Sequence, residues 1–564
     1  MTEPIDPVEP VIDPTAEAGA GVGASPGSTA GLGRSTALMA SGTVVSRVLG
    51  VLRGTMLVWA ISLNGNAANA FAAANKLPNI LYLLVAGGVL NAVLVPQVVR
   101  AYRRAGGQEY VDRLLTLGIA LLLGLGVVLT VAAPFLVGFY SDFTDPAVTA
   151  LAVLFAYWCI PQMFFYGLYS LLGQVLNARG SFGPYMWAPV VNNVVAMAGL
   201  GVFIAVNGPF SSHEAVFNDP AWWGAPQITL LAGTFTLGVV AQALVLVIPL
   251  YRSGFRYRPR WGFRGVGLRT AGRVAYWTFL GLLIGQVGVW VVSLATTASG
   301  SNNLYDNAFL IFMLPHSIVT VSLMTALFTR LSARAAADDV DAVRADLSLG
   351  LRTVGLFTVL ATAVIALLAL PLSRVLFPSE KLGPLGNLAP VIVAMVLGLV
   401  AFGAWSLAQR IYYAYEDARS MVPIQVVMVV VVIGGTLLAR VLLAPRYWAV
   451  GAAGSMSLSY VVGAALGLAA VGRRLHGVDG RRVVQVHVKA VVAAGLASAL
   501  GALVLHLLGP VGGWTHAVVM CVVGGAVITA AYLGLLATMR VEELTVLVRT
   551  VAGRLSGRRG ARRG

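Results

Sequence analysis

Charge is what this sequence has least of. Only 11% of its 564 residues are Asp, Glu, Lys or Arg, against about 25% in soluble domains, while 58% are hydrophobic. That balance excludes an ordinary soluble enzyme. Cysteine is nearly absent: Cys159 and Cys521 each sit inside an apolar run, so neither a disulfide framework nor a Cys-based metal site can be drawn. The six histidines, His213, His316, His476, His487, His506 and His516, are scattered, and no H-E-x-x-H, phosphate-loop lysine or G-x-S-x-G motif occurs. The chain is therefore read as no enzyme, with no cofactor. A secretory leader is not visible either. Met1 to about Gly33 mixes Glu3, Asp6, Glu9, Asp13 and Glu17 with Pro, Ala, Gly and Ser, without an apolar core before a cleavage site, and reads as a disordered tail.

What is present is a succession of apolar runs from Ala37 to Leu536, each about 20 residues and so long enough to span a bilayer. About fourteen such spans can be drawn, which makes the chain an all-α polytopic membrane protein. The net charge of +16 would suggest nucleic acid in a soluble protein. Here topology accounts for it. Arg100, Arg103, Arg104 and Arg113 follow the second span. Arg252, Arg256, Arg258, Arg260 and Arg264 follow the sixth, Arg330, Arg334 and Arg344 the eighth, and Arg473, Arg474, Arg481 and Arg482 the twelfth. The intervening loops 63–66, 141–145, 207–227 and 300–303 hold no Lys or Arg, although Arg374, Lys381, Arg440 and Arg446 lie on the same side. Cytoplasmic loops carry the positive excess, so both termini are expected inside. The terminal run Arg554, Arg558, Arg559, Arg562 and Arg563 then reads as an anchor on anionic membrane lipids, and no nucleic-acid partner is expected.

Laying residues 100–190 over 330–430 reveals a weak internal repeat, offset by about 230 to 240 positions. Arg100 and Arg104 fall on Arg330 and Arg334, and Gly167, Ser170, Ala178 and Pro184 fall on Gly403, Ser406, Ala414 and Pro423. The offset covers six spans, an even number, so the copies share one orientation and form a parallel repeat. The expected architecture is two six-helix bundles plus two C-terminal helices. Its divisions are a tail over 1–34, an N-lobe over 35–251, a basic cytoplasmic linker over 252–272, a C-lobe over 273–472, two extra helices over 485–538 and a basic tail over 539–564.

Function should lie with charges at membrane depth, because each costs about 2.5–3.5 kcal/mol at a helix centre and persists only if paired, hydrated or used. The first span carries Arg47 and Arg53, and the second carries Lys76 within Asn75-Lys76-Leu77-Pro78-Asn79. No carboxylate in the first six spans is deep enough to answer these three cations. Their partner is expected to be an external anion, and the planar fork of Arg suits phosphate oxygens. A second tier of cavity residues is expected at Asn69, Asn79, Asp306 and Arg410. Asp306 is the clearest embedded acid, read as pairing with a protein cation or standing at an interface in preference to binding a coupling ion. Pro78, with Gly87-Gly88 beyond it, is expected to interrupt the second helix.

Several stretches now look familiar. Ser46-Arg47-Val48-Leu49-Gly50-Val51-Leu52-Arg53, Asn69-Ala70-Phe71, Lys76-Leu77-Pro78-Asn79, Gly88 and Val95-Pro96 resemble the opening of the MurJ (MviN) lipid II flippases. The similarity continues through Leu176-Asn177-Ala178, Ala188-Pro189, Asn192 and Tyr412-Tyr413-Ala414-Tyr415-Glu416-Asp417 to Pro423. The resemblance implies a transporter of the MOP superfamily in the bacterial cytoplasmic membrane. It would move undecaprenyl-diphosphate-linked peptidoglycan precursor, lipid II, from the inner to the outer leaflet by alternating access. It implies diphosphate binding by Arg47, Arg53 and Lys76, and a groove for the polyprenyl tail on the last two helices. Cell-wall synthesis or division proteins are further partners it suggests. The sequence departs from the family at Asn69, where an acid is usual, at Tyr82-Leu83 in place of a basic pair, at Gly87 in place of an acid, and at Leu310 in place of an arginine. Coupling to an ion or to membrane potential stays open. So do two rivals: a flippase for another lipid-linked oligosaccharide, and a non-transporting scaffold for cell-wall enzymes.

Overall fold

The computed structural model describes residues 29–63, 65–85, 107–179, 181, 183–262, 268–378, 382–415 and 417–543. The two tails beyond these bounds, Arg100, Arg103, Arg104, Arg264, Gly87-Gly88, Val95-Pro96 and Glu416 lie outside the described residues. Among the described residues the protein is helical throughout, with no strand. In chain order the principal helices are α1 (Thr29–Ile61), α2 (Asn66–Val85), α3 (Gly107–Val131), α4 (Ala133–Tyr140), α5 (Pro146–Cys159), α6 (Gln162–Ala178), α7 (Gly183–Asn207), α8 (Thr234–Leu244), α9 (Val247–Arg252) and α10 (Leu268–Ala298). They continue as α11 (Asn302–Pro315), α12 (Val321–Ala336), α13 (Val340–Leu367), α14 (Ala369–Leu376), α15 (Leu382–Val396), α16 (Leu399–Ala414), α17 (Val422–Leu442), α18 (Trp448–Arg474), α19 (Gly480–Leu508) and α20 (Trp514–Thr538).

Among the described residues ten helical segments are long and apolar enough to cross a membrane, and the bent pair Gly386–Val396 and Leu399–Ala414 makes an eleventh if it is one span. α2 is not among them, because Asn66, Asn69, Asn75, Asn79 and Lys76 dilute its apolar residues. Helix limits run past several of the expected divisions: α1 begins at Thr29, inside the expected tail, α10 at Leu268, inside the expected linker, and α19 at Gly480, ahead of the expected 485. Nor does Pro78 interrupt α2, which runs through it to Val85. Proline removes one N–H, so the lost bond is the single one to the Ala74 carbonyl, and the rest of the ladder carries on.

The repeat is visible as matching breaks. The third span is α3 and α4, interrupted at Ala132, and the ninth is α13 and α14, interrupted at Leu368; both break residues have ψ near zero, at φ −78°, ψ 6° and φ −94°, ψ 11°. The eight-residue helices that follow carry Pro134 and Pro371, whose rings cannot continue an unbroken ladder. The next spans also break alike, at Ile160-Pro161 between α5 and α6 and at Leu397-Gly398 between α15 and α16, the latter by 41°. Gly398 lies so close to Ser457 that a Cβ would stand 2.7 Å from its Cα. The Ser457 hydroxyl takes up the carbonyls freed by the bend, donating to Ala394 O at 2.6 Å and Met395 O at 2.9 Å. Equivalent glycines serve equivalent contacts: Gly167 faces Leu122 of the preceding span and Gly403 faces Val354 of its own. Ser170 and Ser406 are both buried beside them.

The chain forms two compact units. The first comprises residues 1–310, 379–384 and 416–455, and the second 311–378, 385–415 and 456–564. Within the first, α1 packs on α7, α2 on α5 and α10 on α17. Its largest core gathers Phe71, Phe155, Phe203, Phe217, Trp223 and Phe235. Within the second, α19 and α20 pack on each other and α19 on α13. Tyr532 donates to Leu356 O at 2.8 Å, and the buried pair Arg352–Glu543 ties α13 to the residues after α20.

Candidate functional site: cations of the first unit

Arg47 and Arg53 both lie on α1, and six residues at 1.5 Å and 100° each separate them by about 9 Å along the axis and about 120° around it. They cannot share a stripe. Arg47 is exposed, just beyond the point where Asn193 of α7 donates to Ser46 O at 3.0 Å and fixes the helix. Arg53 is half-buried, with its guanidinium 5.5 Å from the centroid of Phe235. That ring packs edge-on against Phe71, which meets Phe155 in the same way, so the cation rests on a rigid aromatic stack. Among the described residues neither arginine has a carboxylate partner.

Lys76 is different. Its Nζ lies 2.6 Å from Asp306 Oδ1 and donates to Asn302 Oδ1 at 3.1 Å, so α11 answers the charge of α2 within the same unit. The pair sits in a knot of amides. Asn69 Nδ2 donates to Gly65 O at 2.9 Å and Gly300 O at 2.7 Å, while its Oδ1 accepts from Asn303 N at 3.1 Å. Asn303 Nδ2 in turn donates to Ser62 O at 3.2 Å and Leu63 O at 3.1 Å, satisfying carbonyls at the frayed end of α1. Thr296 Oγ1 donates to Asn302 Oδ1 at 3.2 Å. The turn that aims α11 at α2 depends on Gly300, whose φ of 62° is left-handed.

The structure thus divides the expected site residues. Lys76, Asn69 and Asp306 come together with Asn302 and Asn303, bonded to one another except at Asn302 Nδ2, a buried amide nitrogen without a hydrogen-bond partner among the described residues. Lys76, expected to meet an external anion, has Asp306 as its ion-pair partner, an acid outside the first six spans that was itself read as pairing with a protein cation or standing at an interface. Asn79, also on α2, is exposed and takes no part in the knot. Arg410 belongs to the second unit, where its guanidinium lies 5.5 Å from the Phe328 centroid with no ion pair among the described residues. Asn302 and Asn303 escaped sequence reasoning. The triplet Asn69-Ala70-Phe71 recurring as Asn307-Ala308-Phe309, within the range of the repeat offset, was the signal that could have found them.

The family model for the lipid II flippase MurJ matches residues 64–522, most of the chain. The chain belongs to the MurJ family. A Haemophilus influenzae protein named probable lipid II flippase MurJ is 27% identical over 426 residues, covering 70% of this chain and 79% of its own. One of the same name from Vibrio cholerae is 25% identical over 470 residues, covering 78% and 82%. Among solved structures, a lipid II flippase MurJ in an inward closed conformation superposes with a TM-score of 0.68 at 15% identity, covering 89% of this chain and 100% of that one. An inward-facing multidrug MATE transporter of the MOP superfamily superposes with a TM-score of 0.57 at 16% identity, covering 78% and 93%. These likenesses establish the MOP transporter fold. The MurJ match includes the asparagine side chains of the knot, Lys76, Asp306 and Arg410, but begins after Arg53, Ser62 and Leu63, so the two arginines of α1 rest on the chemistry of their surroundings.

Proposed function

We infer that this chain is a transporter that moves lipid II from the inner to the outer leaflet by alternating access between an N-lobe at 35–251 and a C-lobe at 273–472. The observation that carries the reading is the MurJ match over residues 64–522 on an all-α fold without catalytic motifs. Arg47 and Arg53 are the diphosphate ligands. What supports them is a contrast: Asp306 pairs with Lys76, while among the described residues the two guanidinium forks of α1 have no carboxylate partner. A diphosphate presents the paired oxygens such forks bind. Lys76, held by Asp306, acts as a positioning residue for α2, and Asn69 with it. The apolar outer faces of α19 and α20 take the polyprenyl tail.

Positive charge at membrane depth also gives the cycle a driving term. With the inside negative, each uncompensated cation that crosses the field is worth about 2.3 kcal/mol per 100 mV, favouring return of the empty carrier toward the cytoplasm after the anion leaves. Both termini lie on the cytoplasmic face of the bacterial inner membrane in this reading.

The test is lipid II exposure on the outer leaflet of cells depleted of this protein and rescued with the wild-type chain or Arg53→Ala at equal membrane levels. Rescue by the wild type alone is expected. Rescue by both variants removes Arg53 from the site, and exposure that does not fall on depletion overturns the flippase reading.

A further inference from the structure

The segment after the sixth span is bound to the protein largely by its backbone; its arginines are exposed, although Arg260 also reaches Glu109 and Arg256 donates to Tyr251 O at 2.7 Å and Phe255 O at 3.3 Å. Gly254, at φ 82°, turns the chain back at the end of α9, and Phe255, 1% exposed, pins it into the core formed by Val111, Leu114, Leu115 and Leu250. From there residues 255–262 run without helix along the first turns of α3. Gln108 Nε2 donates to Arg256 O at 3.0 Å, Arg258 N donates to Asp112 Oδ1 at 3.3 Å, and Arg260 N donates to Thr116 Oγ1 at 3.0 Å. The polar residues at the start of α3 thus hold this strap by its peptide groups. Arg179 fixes its beginning through Ser253 O.

Four arginines fall between residues 252 and 260, all exposed. Arg260 is answered by Glu109 at 2.7 Å. Arg252 and Arg258 have no side-chain ion pair among the described residues, and Arg256 lies 3.9 Å from the centroid of Tyr251. Tyr251 matters for placement. It ends the outward apolar stripe Leu244, Val247 and Ile248 of α8 and α9, so the ring and the guanidinium stacked on it stand where that lipid-facing surface meets water. Trp261, 71% exposed, stands at the far end of the strap beside α3. Aromatic rings flanking basic groups at this depth are the usual composition of a membrane interface.

We propose that residues 251–261 form an anionic phospholipid site, in which Arg252, Arg256 and Arg258 bind headgroup phosphates of the adjoining leaflet while Tyr251 and Trp261 sit among the headgroups. Topology alone needs the charges and not their arrangement. A strap fixed along its backbone presents its guanidiniums without a large ordering cost on binding.

The test uses the purified full chain in mild detergent, offered phosphatidylglycerol, phosphatidylcholine or undecaprenyl diphosphate, with bound lipid counted by native mass spectrometry. The wild type is expected to retain phosphatidylglycerol over phosphatidylcholine. Changing Arg252, Arg256 and Arg258 together to Gln should cut that preference by about five-fold per residue, the effect of one basic group near an anionic surface. A wild-type control guards against misfolding of the variant: the preference should fall between about 0.1 M and about 1 M salt, as exposed charges are screened. Equal retention by wild type and variant, or a preference indifferent to salt, overturns the proposal. So does loss of undecaprenyl diphosphate in place of phosphatidylglycerol, which would make the strap a surface for substrate.

Discussion

Lys76 and Arg53 lie on consecutive helices of one unit and carry the same charge, yet among the described residues one has a carboxylate partner and the other has none. Around Lys76 stand an acid at 2.6 Å, an amide oxygen at 3.1 Å, and behind them a net of asparagines closing the ends of α1 and α11. Around Arg53 the neighbours are aromatic faces. A cation surrounded by its own counterions contributes to structure, whereas one supported by quadrupoles is, in the proposed reading, the one that meets an external anion. The sharpest way to break this contrast is charge reversal. Arg53→Glu should lower lipid II transport roughly a hundredfold or more, because charge-assisted bonds of about 1.5–3 kcal/mol each turn into repulsion, while thermal unfolding in detergent stays near that of the wild type. Transport above a tenth of the wild-type rate would place the diphosphate elsewhere.

The reverse pattern is expected for the pair. Lys76→Ala leaves Asp306 uncompensated. Buried pairs broken on one side cost about 3–5 kcal/mol, and with the two side chains 20% and 31% exposed the expected loss is about 1–3 kcal/mol. The double exchange Lys76→Asp with Asp306→Lys should regain much of that stability and restore transport with it. If the exchange recovers stability but not transport, Lys76 touches substrate, and the division drawn here between structural and substrate-facing cations fails.

The parts legible in the sequence were those set by local pattern or by the repeat. Gly167 and Gly403 could be matched by position alone, and each meets the preceding span. The matching breaks at Ala132 and Leu368 had a sequence cause in Pro134 and Pro371, but a periodicity of apolar residues runs straight across a kink and conceals it. The counterion of Lys76 was hidden because it comes from a helix some 230 residues away, and no span-by-span inventory reaches that far. The arginines at 252–260 were legible as topology. Their fixed spacing depends on Asp112 and Thr116 accepting backbone N–H groups, and that has no sequence signature.

The smallest expected effect sharpens the contrast from the edge of the knot. Gly65 lies against the loop after α7: a Cβ there would stand 2.5 Å from Asn218 Oδ1, the same oxygen that accepts from Asn66 N at 3.2 Å. In Gly65→Ala that flexible amide swings away and one hydrogen bond is lost, for about 1 kcal/mol. Asn66 Nδ2 still holds Asn218 O at 3.0 Å, so the loop stays in place. Thermal unfolding should shift by a few degrees at most, with transport unchanged, because the substitution loosens a strut of the knot without touching the surface that faces the anion. A transport defect from so peripheral a change would mean that the knot itself moves during the cycle, and the amide network would then belong with Arg53 among the working parts.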